Sequence, residues 1–421
     1  MADLLTPVID QLLAERFDST RRLTEALAAP LSPEDQTVQS MTEASPTKWH
    51  RAHTSWFFET FLLEPSDIGY EVFHPDFGFL FNSYYDGVGA RHTRSERGLV
   101  SRPGVADVTE YRRHVDAGMD RLLDGDLDDD TMALLELGIQ HEQQHQELLL
   151  MDIKHVLSRN PMQPAYAELT SLAPGTPGPI AWTGHGGGTV SIGHDGNGFG
   201  FDNEFPDHLV YVQPFELADR TVTSGEWLAF IDDGGYLRPE LWLSDGWATA
   251  QSEGWNAPLY WLHGDDGWRE FTLGGDGPVD LSRPVCHVSY YEADAFARWA
   301  GARLPTEQEW EVATRTRVAT TGLAGSLLDT AVLHPTPIDG GSSPPFGDVW
   351  QWTSSAYSAY PGFVAAPGAV GEYNGKFMVN QYVLRGGSCL TPANHVRATY
   401  RNFFPPASRW AVAGLRLARN V

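Results

Sequence analysis

Two histidines stand four residues apart in the segment IQHEQQHQELLLMD, which covers residues 139–152. Residues with this spacing lie on one face of a helix, so the imidazoles of His141 and His145 would project side by side. Imidazoles are common ligands of transition metals. Gln144, three residues after His141, borders the same face and offers an amide beside the pair. The segment therefore predicts part of a metal site with one polar neighbour.

The same letters form the H-E-x-x-H pattern of zinc proteases, in which the glutamate is the general base. One protease class continues with a glycine and a third histidine, but this chain has Leu148 and Met151 at those positions. Another class takes a glutamate from a later helix, and the nearest candidate, Glu168, lies in a proline-rich stretch. A zinc metalloprotease is therefore a distant alternative.

A further ligand can come from the segment KWHRAHTSWFFE, residues 48–59, which holds His50 and His53 among aromatic residues. Helical bundles often build metal sites from side chains on facing helices. One histidine from this segment, with His141 and His145, would form a three-histidine site with positions left open on the metal. The residues themselves do not decide between His50 and His53.

The spacing of apolar residues predicts four helices near the start of the chain, and four such helices indicate a bundle. Their segments are 4–27, 45–63, 108–123 and 128–157. The aromatic insertion between the second and third helices, residues 64–103, is typical of a functional loop. We expect a helical domain over 1–156, a linker over 157–180 and a domain of short strands over 181–421, with one evident helix at 289–302. The expected fold class is α+β.

Charge and composition narrow the function classes. The formal net charge is −26, whereas binding to nucleic acid requires clustered lysine and arginine, so no nucleic-acid partner is expected. The chain contains no apolar stretch of about 18 residues and no basic segment followed by an apolar run, so no membrane partner is expected. Only Cys286 and Cys389 occur, which fits a reducing cytoplasm. Oligomeric state is not predicted.

Two groups of motifs resemble known families. KWHRAHTSWFFE together with HEQQHQE resembles the damage-inducible-B-like bundle of ergothioneine-biosynthesis sulfoxide synthases, the hercynine oxygenases. The runs RLPTEQEW, residues 303–310, and RGGS, residues 385–388, resemble the formylglycine-generating-enzyme-like fold, a relative of C-type lectins. True formylglycine-generating enzymes use two nearby cysteines late in this domain. Only Cys389 is present there, so that activity is not expected.

The resemblance implies that His53, His141 and His145 bind Fe(II), with His50 outside the coordination shell. Replacement of His50 is then expected to spare iron binding. The implied small-molecule substrates are hercynine (N-alpha-trimethylhistidine), a cysteine-type thiol and O2. The implied reaction joins the sulfur to imidazole C2 of hercynine and oxidises the sulfur to the sulfoxide.

The long insertion carries further residues with roles implied by the resemblance. Arg91 and Arg94 would hold the carboxylate of the thiol, since a guanidinium can donate two hydrogen bonds to one carboxylate. Tyr84 and Tyr85 resemble a subgroup with its active-site tyrosines in this loop, whereas the mycobacterial type supplies its tyrosine from the C-terminal domain. A phenol near the metal can protonate reduced oxygen, and we expect at least one of the two to be catalytic.

Hercynine contacts are implied at both ends of the chain. Gln144 would orient the imidazole, and Asn402 would hold the charged end. Phe403 and Phe404 offer aromatic faces, which attract a quaternary ammonium group. Family members that use gamma-glutamylcysteine have an aspartate at the position of Phe404, so cysteine is the expected thiol.

Three alternatives remain open besides the protease. A selenoneine synthase would use a seleno-sugar donor. An ovothiol-type 5-histidylcysteine sulfoxide synthase would act on unmethylated histidine, and such enzymes usually carry a methyltransferase domain that this sequence lacks. A non-catalytic ligand-binding module on the lectin-like fold is the third alternative, and the intact histidines argue against it.

Overall fold

The computed structural model describes residues 6–66, 68–321 and 325–421. The chain forms two compact units. The first unit consists of Met1–Tyr166 and Pro367–Tyr373, and the second of Ala167–Ala366 and Asn374–Val421. Among the described residues, no helix is both long enough and apolar enough to cross a lipid bilayer.

The first unit is helical, and four of its helices lie at the four segments predicted from apolar spacing. Its helices are α1 (Thr6–Ala28), α2 (Thr47–Phe58), α3 (Phe77–Phe81), α4 (Val105–Leu123) and α5 (Asp129–Ser158). Helix α2 packs against α1, α4 and α5, and every one of its residues is buried. A turn of π-helix, Glu59–Leu63, follows α2 directly. Helix α2 therefore forms the centre of the helical core.

A glycine sets how closely α5 can approach α2. A Cβ atom added to Gly138 would lie 2.5 Å from Cε1 of Phe58, well inside van der Waals contact. Any larger residue at this position would require the ring of Phe58 or the helix itself to shift. The close approach matters because His141 lies one turn further along α5, on the part of the helix that faces α2.

The second unit combines helices with small sheets. Its helices are α6 (Ser224–Asp232), α7 (Ser244–Ser252), α8 (Tyr290–Trp299) and α9 (Glu307–Thr321). The sequence predicted only α8. Helix α9 begins inside the RLPTEQEW run, where Glu309 accepts the N–H of Thr306 and donates its own N–H to the Thr306 hydroxyl. This reciprocal cap starts a helix without apolar periodicity, which explains why the pattern alone missed it.

Twelve strands lie among the described residues of the second unit, and their pairings are antiparallel except that of β8 with β11. The strands are β1 (Trp182–His185), β2 (Gly188–Ile192), β3 (His208–Val212), β4 (Phe215–Thr221), β5 (Trp261–Gly264), β6 (Gly267–Thr272), β7 (Gly275–Pro278), β8 (Trp350–Ala356), β9 (Tyr382–Arg385), β10 (Asn402–Phe404), β11 (Ala413–Gly414) and β12 (Arg416–Asn420). They form the sheets β10-β9-β8-β11, β1-β4-β12 and β5-β6-β7 and the pair β2-β3.

The motif residues of the second unit hold its core together. The indole N–H of Trp310 donates to the side-chain oxygen of Gln351 over 2.9 Å. Arg385 of the RGGS run is fully buried and donates to Glu307 and Glu311 over 2.9 and 3.1 Å. These contacts give the RLPTEQEW and RGGS runs a scaffold role.

Candidate metal centre and active site

Three imidazoles meet inside the first unit. Helix α2 contributes His53, and α5 contributes His141 and His145 from adjacent turns. The ring centres are 4.9 Å apart for His53 and His141, 4.7 Å for His53 and His145, and 4.6 Å for His141 and His145. One nitrogen from each ring lies within 4.8 Å of the other two. This spacing allows one metal ion to be bound by all three rings.

Hydrogen bonds determine which nitrogen each ring can offer. The Nδ1–H of His53 donates to the carbonyl of Phe81 over 2.6 Å, which leaves the lone pair on Nε2. Nδ1 of His145 is engaged by Nδ1 of His50 at 2.8 Å, which again leaves Nε2 for a ligand.

Several buried ring nitrogens lack a hydrogen-bond partner within the described part of the chain: Nε2 of His53 and both ring nitrogens of His141. Leaving a buried polar atom without a partner costs free energy. A bound metal ion would satisfy such atoms, so the residues fit a metal site.

Burial keeps the three rings neutral. It lowers the pKa of His141 to about 3. Burial, helped by repulsion between the imidazoles, lowers the pKa of His53 and His145 well below the ordinary value. Neutral imidazole is the form that binds metal, so the site is ready to accept an ion at neutral pH without first losing protons.

Aromatic rings line the histidines. Trp49 and Trp56 both stack on His53, at 4.6 and 5.5 Å between ring centres. The ring of Phe57 lies 4.8 Å from that of His141. An apolar wall of this kind limits solvent access and shapes the electrostatics of a metal site.

Glu142, the general base of the protease interpretation, is held by two arginines. Its two carboxylate oxygens accept hydrogen bonds from Arg21 and Arg112, each over 2.9 Å, and all three side chains are buried. Burial alone would raise the pKa of Glu142, but the two guanidinium groups lower it to about 2. A carboxylate in this state is a poor base, and its ion pairs tie α5 to α1 and α4.

Asn82 fixes the loop that carries the predicted tyrosines. Its side chain accepts the backbone N–H of Tyr85 over 3.1 Å and donates to the carbonyl of the same residue over 2.9 Å. The ring of Tyr85 is fully buried, 5.5 Å from that of Trp56, and Tyr84 stacks on it at 4.7 Å. Burial and the neighbouring phenol raise the pKa of Tyr85 well above its ordinary value. Tyr85 is therefore a neutral phenol that is separated from His53 by one ring, that of Trp56.

A third tyrosine reaches the histidines from a distant part of the sequence. The ring of Tyr373 lies 5.6 Å from that of His141 and 6.1 Å from that of Tyr84. Its neighbour Glu372 accepts the backbone N–H groups of residues 86 and 87 over 3.1 and 2.7 Å. The segment is thereby joined to the tyrosine loop. Tyr373 was not among the residues predicted from the sequence, which placed the active-site tyrosines in the loop of Tyr84 and Tyr85.

Comparison with known proteins decides the family. The chain is 33% identical over 399 residues to hercynine oxygenase of Mycobacterium tuberculosis, covering 90% of this chain and 91% of that protein. It is 34% identical over 412 residues to hercynine oxygenase of Mycolicibacterium thermoresistibile, covering 90% and 88%. The chain belongs to the hercynine oxygenase family. It is therefore an oxygenase, and the resemblance seen in its motifs is confirmed.

Two further matches concern parts of the chain. Residues 185–326 and 344–421 match the sulfatase-modifying factor enzyme 1-like domain, which confirms the predicted α+β fold class with a C-terminal domain of this type. Ergothioneine biosynthesis protein 1 of Schizosaccharomyces pombe is 28% identical over 232 residues, covering 53% of this chain and 28% of that protein.

In this member of the hercynine oxygenase family, the two predicted arginines are exposed. Arg91 donates to Asp86 over 3.1 Å and to the carbonyl of Ser83 over 3.0 Å. Arg94 donates to the carbonyl of Glu43 over 2.6 Å. The structure shows neither arginine in contact with the three histidines.

Arg97, which was not predicted from the sequence as a site residue, is 3% exposed. Its guanidinium lies 3.4 Å from the ring centre of Trp49, and within the described ranges no carboxylate pairs with it. Burial, with repulsion from Arg94 and Arg91, lowers the pKa of Arg97 to about 8. The sequence does show that Arg91, Arg94 and Arg97 follow one another at intervals of three residues.

The remaining predicted residues divide between the units. Gln144 is half-buried on α5 beside His145. Asn402, Phe403 and Phe404 form β10 in the second unit, all half-buried. Successive strand residues point to opposite faces, so Asn402 and Phe404 share a face.

The two phenylalanines of β10 have separate ring partners. The ring of Phe403 stacks on Tyr357 at 4.0 Å, and that of Phe404 meets Trp410 edge-on at 5.2 Å. Both rings are therefore supported by their own unit and keep part of their surface available.

Proposed function

We propose that this chain is a non-haem Fe(II), O2-dependent sulfoxide synthase of ergothioneine biosynthesis, joining a thiol donor to imidazole C2 of hercynine. The observation that carries the proposal is the cluster of three neutral imidazoles from His53, His141 and His145, in a chain of the hercynine oxygenase family. The proposed substrate, hercynine, and the proposed pathway, ergothioneine biosynthesis, are taken from the names of the relatives. Fe(II) is proposed because imidazole suits iron among other metals and because the relatives are named as oxygenases.

The metal would be held through Nε2 of His53 and His145 and one ring nitrogen of His141. When bound, iron supplies the means to bind and activate O2 and to bind the thiolate. The three protein ligands carry no charge, so the site retains the positive charge of the ion and favours an anionic sulfur donor. The aromatic wall around His53 keeps bulk water away and strengthens this attraction.

Tyrosines are the proposed proton donors. The raised pKa of Tyr85 keeps the proton on its phenol oxygen at neutral pH, as a general acid requires. Tyr84 stacks on Tyr85, and the ring of Tyr373 lies 6.1 Å from that of Tyr84 and 5.6 Å from that of His141. We propose that at least one of Tyr84 and Tyr85 delivers a proton to reduced oxygen, with Tyr373 as a further candidate.

Substrate orientation is assigned to polar and aromatic side chains. Gln144, next to His145 on α5, would hydrogen-bond the hercynine imidazole. Arg91 and Arg94 would bind the carboxylate of the thiol, which we propose to be cysteine. Asn402, Phe403 and Phe404 would receive the charged end of hercynine. This last assignment is supported by the shared face of Asn402 and Phe404 and by the attraction of aromatic faces for quaternary ammonium groups.

We propose a cytoplasmic location with small-molecule partners only. Cys286 and Cys389 are both buried, and neither forms a disulfide in the described part of the chain. Thiols that do not form disulfides fit a reducing compartment.

Aerobic turnover tests the proposal. The Fe(II)-loaded protein is incubated with hercynine and cysteine, and the products are identified by mass spectrometry, with anaerobic and Zn(II)-loaded samples as controls. We expect a hercynine–cysteine sulfoxide only with iron and O2. A product with histidine but not hercynine would assign the ovothiol-type reaction, and a product with a seleno-sugar donor alone would assign selenoneine synthesis. Iron binding without any product would indicate a ligand-binding module.

A further inference from the structure

A second histidine of α2 stands behind the metal site. Nδ1 of His50 lies 2.8 Å from Nδ1 of His145, and Nε2 of His50 lies 3.0 Å from a carboxylate oxygen of Asp152. His50 and Asp152 are each 2% exposed. The same oxygen of Asp152 accepts the backbone N–H of Ser45 over 2.7 Å. These contacts form a continuous chain from a buried carboxylate through His50 to His145.

The carboxylate of Asp152 sets the direction of the hydrogen bond that it forms with His50. A carboxylate accepts and does not donate, so Nε2 of His50 carries the hydrogen. The facing Nδ1 atoms of His50 and His145, 2.8 Å apart, share one hydrogen. When Nδ1 of His145 donates that hydrogen, its lone pair lies on Nε2, the nitrogen available to a metal.

We propose that His50 and Asp152 are positioning residues for the metal ligand His145. They fix its tautomer and ring orientation, and the buried negative charge, acting through His50, makes Nε2 of His145 a stronger donor. The proposal rests on the proposed function for the identity of the metal. It revises the expectation from sequence that replacing His50 leaves iron binding intact.

The ligands differ in their support, which makes the role specific to His145. His53 donates its Nδ1–H to the neutral carbonyl of Phe81. Both ring nitrogens of His141 lack a hydrogen-bond partner within the described residues. Among the described residues, the hydrogen bonds of His145 alone lead to a carboxylate, so replacing that carboxylate should weaken metal binding through one ligand.

Metal affinity separates this role from a purely structural one. Co(II) affinity is measured by optical titration for the wild type, Asp152→Asn, His50→Asn and the double variant, together with the free energy of unfolding of each metal-free protein. His155→Asn is the matched control, because His155 lies on the same helix and hydrogen-bonds Ser40 over 2.6 Å. His145→Ala serves as the control for loss of a ligand.

We expect each single variant to bind Co(II) about 10- to 100-fold more weakly, as is typical for the partners of metal ligands. The double variant should be no weaker than the weaker single variant, since both act through one chain. His155→Asn should keep wild-type affinity. Wild-type affinity in both single variants, or purely additive losses, would overturn the proposal. If the single variants keep wild-type affinity while His145→Ala loses the metal, the positioning role would be wrong and the proposed function would stand.

A measurement on the wild type keeps the test independent of variant folding. Imidazole 15N resonances of the metal-free protein show which nitrogen of His145 bears hydrogen. We expect Nδ1 to bear it and Nε2 to be bare. A hydrogen on Nε2 would refute the proposed direction of the chain, whatever the turnover experiment gives.

Discussion

Replacing Glu142 with glutamine removes a buried charge at nearly constant size. The two arginines lower the pKa of Glu142 from an ordinary 4.5 to about 2, against the effect of burial. That difference corresponds to about 3 kcal/mol of stabilisation at pH 7. Loss of one partner from a buried ion pair has a cost of similar size, about 3–5 kcal/mol. We therefore expect Glu142→Gln to lower the free energy of unfolding by about 3 kcal/mol.

The pH dependence follows from the direction of the shift. Because the folded-state pKa is depressed, the stabilisation is fully present above the unfolded value of 4.5 and is lost as the pH falls towards 2. The stability difference between wild type and Glu142→Gln should therefore shrink from about 3 kcal/mol at pH 7 to about 2 kcal/mol near pH 3.5.

Urea unfolding at several pH values measures this difference. Glu136→Gln is the matched control, because Glu136 lies on α5 with Glu142. Its ion pair with Arg16 of α1, at 2.8 Å, is partly exposed and should contribute at most about 1 kcal/mol. Wild-type stability of Glu142→Gln at pH 7 would refute the structural role of Glu142. Zinc-dependent casein cleavage that Glu142→Gln abolishes would instead support the protease interpretation.

Three further predictions concern the loop, the thiol and the helix contact. Tyr85→Phe, Tyr84→Phe or Tyr373→Phe should divert oxidation towards the sulfinic acid of the thiol, and unchanged product ratios in all three and in the triple variant would remove tyrosine from the mechanism. Phe404→Asp should shift the product ratio in a competition between cysteine and gamma-glutamylcysteine about ten- to a hundredfold towards gamma-glutamylcysteine, since a charge-assisted hydrogen bond contributes about 1.5–3 kcal/mol. A preference of the wild type for gamma-glutamylcysteine would contradict the assigned donor. Gly138→Ala should lower the free energy of unfolding by about 1–3 kcal/mol and weaken metal binding, because its Cβ would overlap Phe58. Unchanged affinity in a Co(II) titration would show that metal binding does not depend on this helix contact.

Local geometry explains which parts of the site could be predicted. The four-residue spacing of His141 and His145 places both on one helix face in any fold, so the pair is visible in the sequence. Nothing comparable identifies which of His50 and His53 is the metal ligand, since both lie on α2 and both are buried. Their different partners, Asp152 for one and the carbonyl of Phe81 for the other, depend on how the chain folds.

Other features depend on tertiary packing alone. Tyr373 approaches His141 because a segment from late in the chain returns to the first unit, and nothing near it in sequence indicates this. Arg97 differs from Arg91 and Arg94 only in being buried against Trp49. Helices α6 and α7 have nine residues each, too few for apolar periodicity to separate them from the surrounding turns.

Metal stoichiometry tests the central claim most directly. Metal-free protein is titrated anaerobically with Fe(II) in the presence of a chromogenic chelator, for the wild type and for the alanine variants of His53, His141 and His145. The account predicts one tightly bound Fe(II) per wild-type chain and no tight site in any of the three variants. Full iron occupancy in His53→Ala would contradict the three-histidine centre.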